Sequence, residues 1–183
     1  MMAALFEKQS MPFYKFGDVM YLEKINRTDW KKFIVSQFSK TRKKITEQQA
    51  DIIAETVEDH SYYVQQLSYM VWNITAKAVT AAILKNAIEM LIYQNSNLYT
   101  RDTDELSNVQ LNFLKAVTDG ITSGLSSREV MHHYKLGTSA NVLKIKKALI
   151  DKELIDEKNN EVSFLDPVYK LWFYKHIIKQ ESN

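Results

Sequence analysis

Leu125-Ser126-Ser127-Arg128-Glu129-Val130-Met131-His132-His133-Tyr134-Lys135-Leu136-Gly137-Thr138-Ser139-Ala140-Asn141-Val142 is the stretch on which the fold turns. Ser126 and Glu129 stand three apart, the spacing at which a serine hydroxyl and a glutamate side chain cap a helix reciprocally. A helix therefore starts at about Ser127 and carries Val130, Met131 and Tyr134 inward. Gly137 supplies the positive φ of a tight turn, and Thr138 or Ser139 caps the next helix. In that helix Val142, Ile145, Leu149 and Ile150 recur at helical spacing, to about Lys152. Beyond it, Leu154-Ile155 and Val162-Ser163-Phe164-Leu165 flank the polar Lys158-Asn159-Asn160-Glu161, as in two short strands around a turn. The aromatic Tyr169, Trp172, Phe173 and Tyr174 then close the unit and are expected to pack over the hairpin. Helix, turn, helix, hairpin, helix is the order of a winged helix-turn-helix.

Upstream of this unit, Asp104 is a candidate cap for a helix bearing Leu111, Phe113, Leu114 and Val117. Tyr99-Thr100-Arg101-Asp102-Thr103 reads as a short polar link. Before the link, Asn26, Thr28 or Asp29 caps a helix with Trp30, Phe33, Ile34 and Phe38 on one face, ending near Lys40. Thr46 opens another that presents Ile52, Ile53 and Val57. From His60 a helical pattern runs to Met90, with Thr75 as its one seam. Between the first two helices, Lys40, Arg42, Lys43 and Lys44 make a basic loop that reads as solvated surface or as a phosphate contact. The opening residues read as a helix to Gln9, a break at Met11-Pro12, and a short strand at Val19-Met20-Tyr21-Leu22. The expected class is mainly α: a helical lid-type bundle followed by a winged helix-turn-helix domain with a small β-hairpin. The expected divisions are residues 1–25, 26–103 and 104–183.

Composition narrows the function. Four glycines and two prolines in 183 residues leave room for long helices, and 45% hydrophobic content suffices for real cores. The absence of cysteine removes disulfides, thiol nucleophiles and thiolate metal sites together. His60, His132, His133 and His176 lack the one-turn pairing that puts two imidazoles on one metal. No apolar run reaches the roughly 20 residues of a bilayer span, and the start lacks the character of a secretion signal, so a cytoplasmic protein with no membrane partner is expected. The sequence contains no glycine-rich phosphate loop, no Gly-x-Ser-x-Gly and no His-Glu-x-x-His. The acidic pairs Glu58-Asp59 and Asp156-Glu157 are adjacent, so their carboxylates diverge. A stand-alone enzyme therefore has no motif behind it.

Charge decides between partners for the winged unit. The net charge is +2 for the whole chain, yet residues 104–183 carry equal numbers of basic and acidic side chains. With Val142, Ile145 and Leu149 inward, the second helix shows Ala140, Lys144, Lys147 and Asp151. Lys144 and Lys147 are thus the candidate contacts to DNA or protein. Two lysines make a thin phosphate footprint, no arginine lies on this helix to grip a guanine, and the wing sets Asp156, Glu157 and Glu161 against Lys158 alone. A protein contact is favoured over DNA.

Three segments carry a family resemblance. The first is Met1-Met2-Ala3-Ala4-Leu5-Phe6 with Met11-Pro12-Phe13-Tyr14-Lys15-Phe16-Gly17 and on to Leu22; the second is Asp29-Trp30 with Phe33-Ile34, then Thr56 and His60-Ser61-Tyr62-Tyr63-Val64-Gln65-Gln66-Leu67. The third is Asp166-Pro167-Val168-Tyr169-Lys170-Leu171-Trp172-Phe173. In order and spacing they resemble the C-terminal portion of a prokaryotic AAA-type ATPase family, close to the signal-transduction ATPases with numerous domains (STAND) and common as archaeal and bacterial ATP-binding proteins. The resemblance implies a remnant edge of an ATPase core, a helical lid and a winged helix, in that order. It sets His60, Ser61 and Tyr62 at a lid turn near nucleotide. The sequence departs from the family there, with Ser61 where a proline is usual and Glu58-Asp59 where a glycine is usual, and an acidic pair opposes a triphosphate. The phosphate loop and magnesium-binding acid have no counterpart, so the chain alone is expected to bind no cofactor and not to hydrolyse ATP. ATP and magnesium are expected for a longer parent, from which this chain is cut or shortened.

The partner expected from the resemblance is thus the missing ATPase core or another protein. Unpaired edges in the opening segment, with Phe13, Tyr14, Phe16 and Tyr21, predict self-association. The alternative reading is an independent winged-helix regulator of DNA.

Overall fold

In the computed structural model, residues 24–179 are described. The expected strand at residues 19–22, nearly all of the expected core remnant at 1–25, and Phe13, Tyr14, Phe16 and Tyr21 lie outside them. Eight α-helices and one two-stranded hairpin follow in chain order among the described residues. The fold is mainly α, as expected.

Four helices form the first half. Asn26 caps α1 (Arg27–Lys40) by accepting from the Asp29 amide, and Thr46 caps α2 (Glu47–Thr56) in a reciprocal box with Gln49. Then come α3 (Ser61–Ile74) and α4 (Ala81–Asp104), capped by Thr80. Trp30, Ile34 and Phe38 of α1 are buried against α2 and α3. Phe33 and Ile52, expected on the inward faces, are instead 49% and 37% exposed, because each helix meets neighbours on a stripe narrower than its apolar surface.

The pattern from His60 to Met90 is two helices rather than one with a seam. At Thr75 the hydroxyl turns back to the Val71 carbonyl at 2.6 Å while the backbone becomes extended. Residues beyond it pair with the basic loop: the Lys44 amide donates to the Lys77 carbonyl at 2.8 Å and the Val79 amide to the Lys44 carbonyl at 2.9 Å. This tertiary pairing replaces the helical hydrogen bonds that propensity alone would favour. Residues 99–103, read as a polar link, lie within α4. Tyr99 and Thr103 are buried there, so the apolar stripe of α4 passes through the segment.

The second half begins at α5 (Asn108–Thr118), capped by Ser107 in a box with Gln110. Asp104 is the last residue of α4, not the cap of α5. Ser127, one residue after the expected Ser126, caps α6 (Arg128–His133) by accepting from Val130 at 3.3 Å. Gly137 has φ +83°, and Thr138 caps α7 (Ser139–Asp151), whose Val142, Ile145 and Leu149 are buried. The strands β1 (Ile155–Lys158) and β2 (Glu161–Phe164) pair antiparallel with Lys158 opposite Glu161. Asn159 and Asn160 take φ of 54° and 64°, the two-residue turn that matches strand twist and that asparagine tolerates. Ile155, Val162 and Phe164 face inward. Asp166 caps α8 (Pro167–Phe173), with proline where a missing amide costs nothing, and a π-helical turn Tyr174–Ile178 follows. Helix α8 packs on α4 as well as on β2, so the aromatic cluster is a seam between the halves and not just a cover for the hairpin. Tyr174 stays 46% exposed.

Candidate functional site

The turn joining α2 to α3 is built from residues that must be held in place. Glu58 and Asp59 have φ of 51° and 56°, a left-handed conformation that costs a side-chain-bearing residue about 1 kcal/mol. Each carboxylate is fixed by its own cation. Arg27 grips Asp59 with two bonds of 2.6 and 2.8 Å, and Lys170 of α8 reaches Glu58 at 2.7 Å. Lys24 adds a 2.9 Å bond to the Glu58 carbonyl. The hydrogen bonds that Arg27 donates to Asp59 raise its pKa against the opposing effect of burial. The acidic pair diverges as expected, and both charges are countered.

His60 follows as the N-cap residue of α3, but its side chain makes no capping bond. Its Nδ1 is buried without a hydrogen-bond partner among the described residues, and its ring lies 5.1 Å from that of Tyr63. Ser61 opens the helix, and Tyr62 is 62% exposed with its ring edge-on to Tyr63 at 5.1 Å. The three residues singled out by the resemblance therefore sit together, with Tyr62 outward and His60 inward.

One turn along α3, Tyr63 starts a network that the sequence does not advertise. The Tyr63 and Tyr99 hydroxyls donate to Asp166 Oδ2 at 2.7 and 2.8 Å. The other oxygen, Oδ1, accepts from the Val168 and Tyr169 amides at 2.8 and 3.1 Å. One carboxylate thus caps α8 and pins it to α3 and α4. Nearby, Tyr169 pairs with Thr103 at 2.9 Å, and the Trp172 indole donates to Ser96 at 2.9 Å. Asp166-Pro167 is visible in sequence as a helix start, but its tyrosine partners, 103 and 67 residues away, have no local signal.

Burial is the first cause that raises the pKa values of Tyr63 and Tyr99, and the neighbouring Asp166 carboxylate adds to it. Tyr169 is pushed up to about 12, also chiefly by burial. A raised folded-state value means that the unfolded chain loses these protons first. Stability is then complete below about pH 10, the ordinary tyrosine value, and falls as pH climbs past it. Urea unfolding across this range should show a falling midpoint that Tyr99→Phe makes shallower. A Tyr99→Phe profile as steep as that of the unaltered chain would contradict the network.

On the second half, Lys144 and Lys147 are both exposed, as expected. Lys147 is paired with Asp151 at 2.7 Å on its own helix. Lys146 bonds Glu157 of the hairpin at 2.6 Å, so the carboxylate reaches back to the helix. Leu143, 58% exposed, shares the outer surface. The β2 amide of Val162 donates to Thr122 at 2.7 Å, adding a third extended segment at the hairpin.

Residues 97–175 match the family model described as "Probable winged helix domain". The hairpin is its wing and α7 its second helix of the helix-turn-helix. The match begins inside α4, whose last turns carry Tyr99 and Thr103. Among solved structures, the chain is similar in fold to the Walker-type ATPase PABY2304 of Pyrococcus abyssi, with a TM-score of 0.66 at 12% identity. The likeness covers 91% of this chain and 47% of that one, so the chain spans about half of that protein's length. No curated protein matches the chain. Among the described residues, no helix is long and apolar enough to cross a membrane.

Proposed function

We propose that this chain is the helical lid and winged-helix regulatory region of an AAA-type, STAND-like ATPase, with the winged helix acting as a protein-docking module. The observation that carries the reading is the similarity to a Walker-type ATPase over the bundle and the winged helix together, in one arrangement. The Lys170–Glu58 pair supports it, because it ties the turn at His60, Ser61 and Tyr62 to the closing helix of the winged domain. Nucleotide at this turn would meet the first amides of α3 and the Tyr62 ring; Glu58 and Asp59, already paired, would repel phosphates less than their sequence suggests. ATP and magnesium would come with the phosphate loop of a core outside this chain, and that core is the expected partner.

The first test is the DNA upstream of Met1, where an in-frame phosphate loop is expected. The second joins that core to this chain and measures ATP turnover. Turnover should change several-fold with the chain attached and again with Lys170→Gln; indifference to both would sink the reading. Titration with duplex DNA at several salt concentrations addresses the alternative. With Lys147 neutralised by Asp151 and an acidic wing, no binding that weakens steeply with salt is expected.

A further inference from the structure

We propose that the groove between α1 and α3 is a docking site for a partner-protein segment that presents apolar side chains followed by carboxylates. This inference is independent of the ATPase reading. A cavity of about 400 Å³ lies between these helices, lined by Phe33, Phe38, Thr41, Ser68, Tyr69 and Trp72 among others. A second, of about 370 Å³, shares Phe33 and Gln65 with it and reaches Trp30 and Ile25, so the two form one continuous groove. Helix α3 buries Val64, Leu67, Met70 and Val71 in the bundle. Its other face shows Gln65, Tyr69 and Trp72 at helical spacing, with Tyr69 62% exposed. Phe33 faces them from α1 at 49%. Contiguous exposed aromatics of this kind mark an interaction surface.

The groove is also unfinished in its hydrogen bonds. Trp30 is 3% exposed and lines the inner end, yet its indole Nε1 has no partner among the described residues. Ser68 Oγ, buried in the first cavity, has none either. An unpaired buried donor is destabilising, and a peptide carbonyl entering as the Phe33 ring swings off the indole, which it meets edge-on at 6.0 Å, would relieve it.

Charge gives the occupant its direction. Thr41 closes one end of the groove, and Lys40 and Arg42 flank it, both exposed. Among the described residues, Lys40 reaches only Gln37, at 3.4 Å, and Arg42 has no ion pair. Their neighbour Lys43 is engaged, donating to the Trp72 carbonyl at 2.6 Å with its ammonium 4.2 Å from the indole centre. Asp29 lines the opposite end. Apolar residues in the groove with carboxylates beyond Thr41 match this polarity. A membrane is flat where the groove is concave, and a nucleic-acid backbone needs cations along its whole track rather than at one end.

Two of the chain's three tryptophans, Trp30 and Trp72, line the groove, so their fluorescence reads occupancy directly. The probes are a leucine- and phenylalanine-rich peptide ending in glutamates, the same peptide ending in lysines, phosphatidylserine vesicles and single-stranded oligothymidine. The glutamate peptide should give a saturable change that weakens about tenfold in Phe33→Ser with Tyr69→Ser, exposed positions whose exchange leaves the core intact. Lys40→Glu with Arg42→Glu should invert the preference to the lysine peptide. The proposal is overturned if the glutamate peptide fails to bind, if the lysine peptide binds the unaltered chain as well, if vesicles or oligothymidine bind instead, or if the groove variants change nothing.

Discussion

Asp166→Ala should cost the protein about 3–5 kcal/mol, a large share of the stability expected for a domain of this size. The loss has two parts. Removing Oδ1 strips the cap from α8, at about 1 kcal/mol. Removing Oδ2 takes their shared carboxylate acceptor from the Tyr63 and Tyr99 hydroxyls, at about 1–3 kcal/mol each. The second part dominates, because two hydroxyls lose a charged acceptor and Tyr99 is only 3% exposed. The two hydroxyls retain each other at 3.4 Å, which keeps the total below the sum of the extremes. Urea unfolding measures the loss, and the Tyr63→Phe, Tyr99→Phe double variant separates its parts. In that background Asp166→Ala should cost only the cap, about 1 kcal/mol. A cost of 3 kcal/mol or more there would show that the tyrosines are not what the carboxylate serves.

Trp172→Ala is the second large effect, at about 3–5 kcal/mol. Trp172 is 3% exposed, stacked on Tyr169 with 15° between the rings and on His176 at 5.0 Å, with Tyr99 6.0 Å away. The cavity left by the ring accounts for most of the cost. The lost bond to Ser96 contributes less, because that hydroxyl is partly exposed and can turn to water. Trp172→Phe, which keeps much of the volume, should cost about 1–2 kcal/mol. The remaining tryptophans, Trp30 and Trp72, both lie in the bundle and not in the winged helix. Their emission in the Trp172→Ala protein therefore asks whether the halves unfold together. The unfolding midpoint they report should fall with the rest; a bundle transition unmoved by the substitution would mean that α8 does not couple the halves.

Much of the winged helix was legible because its signals are local. Thr138, Gly137, the Val142–Ile145–Leu149 stripe and the polar Asn159-Asn160 each act within a few residues, and each stands as the sequence indicates. Where local signals compete, the structure selects one: Ser127 rather than Ser126 caps α6, and Ser107 rather than Asp104 caps α5. Adjacent hydroxyls and carboxylates offer the backbone nearly equal caps, and the packing of the helix selects one. At residues 99–103, polar side chains hid two buried positions, Tyr99 and Thr103, that face α8. At residues 75–80 an extended break appears because Lys44, more than thirty residues earlier, supplies the backbone partner.

By itself, then, the sequence determined the elements: capped amphipathic helices, an asparagine-turned hairpin, and a neutral winged unit with an acidic wing. Those properties are set by spacing, backbone preference and charge, which operate along the chain. Tertiary structure decided what the elements do to one another. It gave Glu58 and Asp59 separate cations, made Asp166 the shared acceptor of two distant tyrosines, and brought the aromatic side chains of α1 and α3 together as a groove. These depend on which surfaces meet, and a hydrogen bond across a hundred residues leaves no period in the sequence to read.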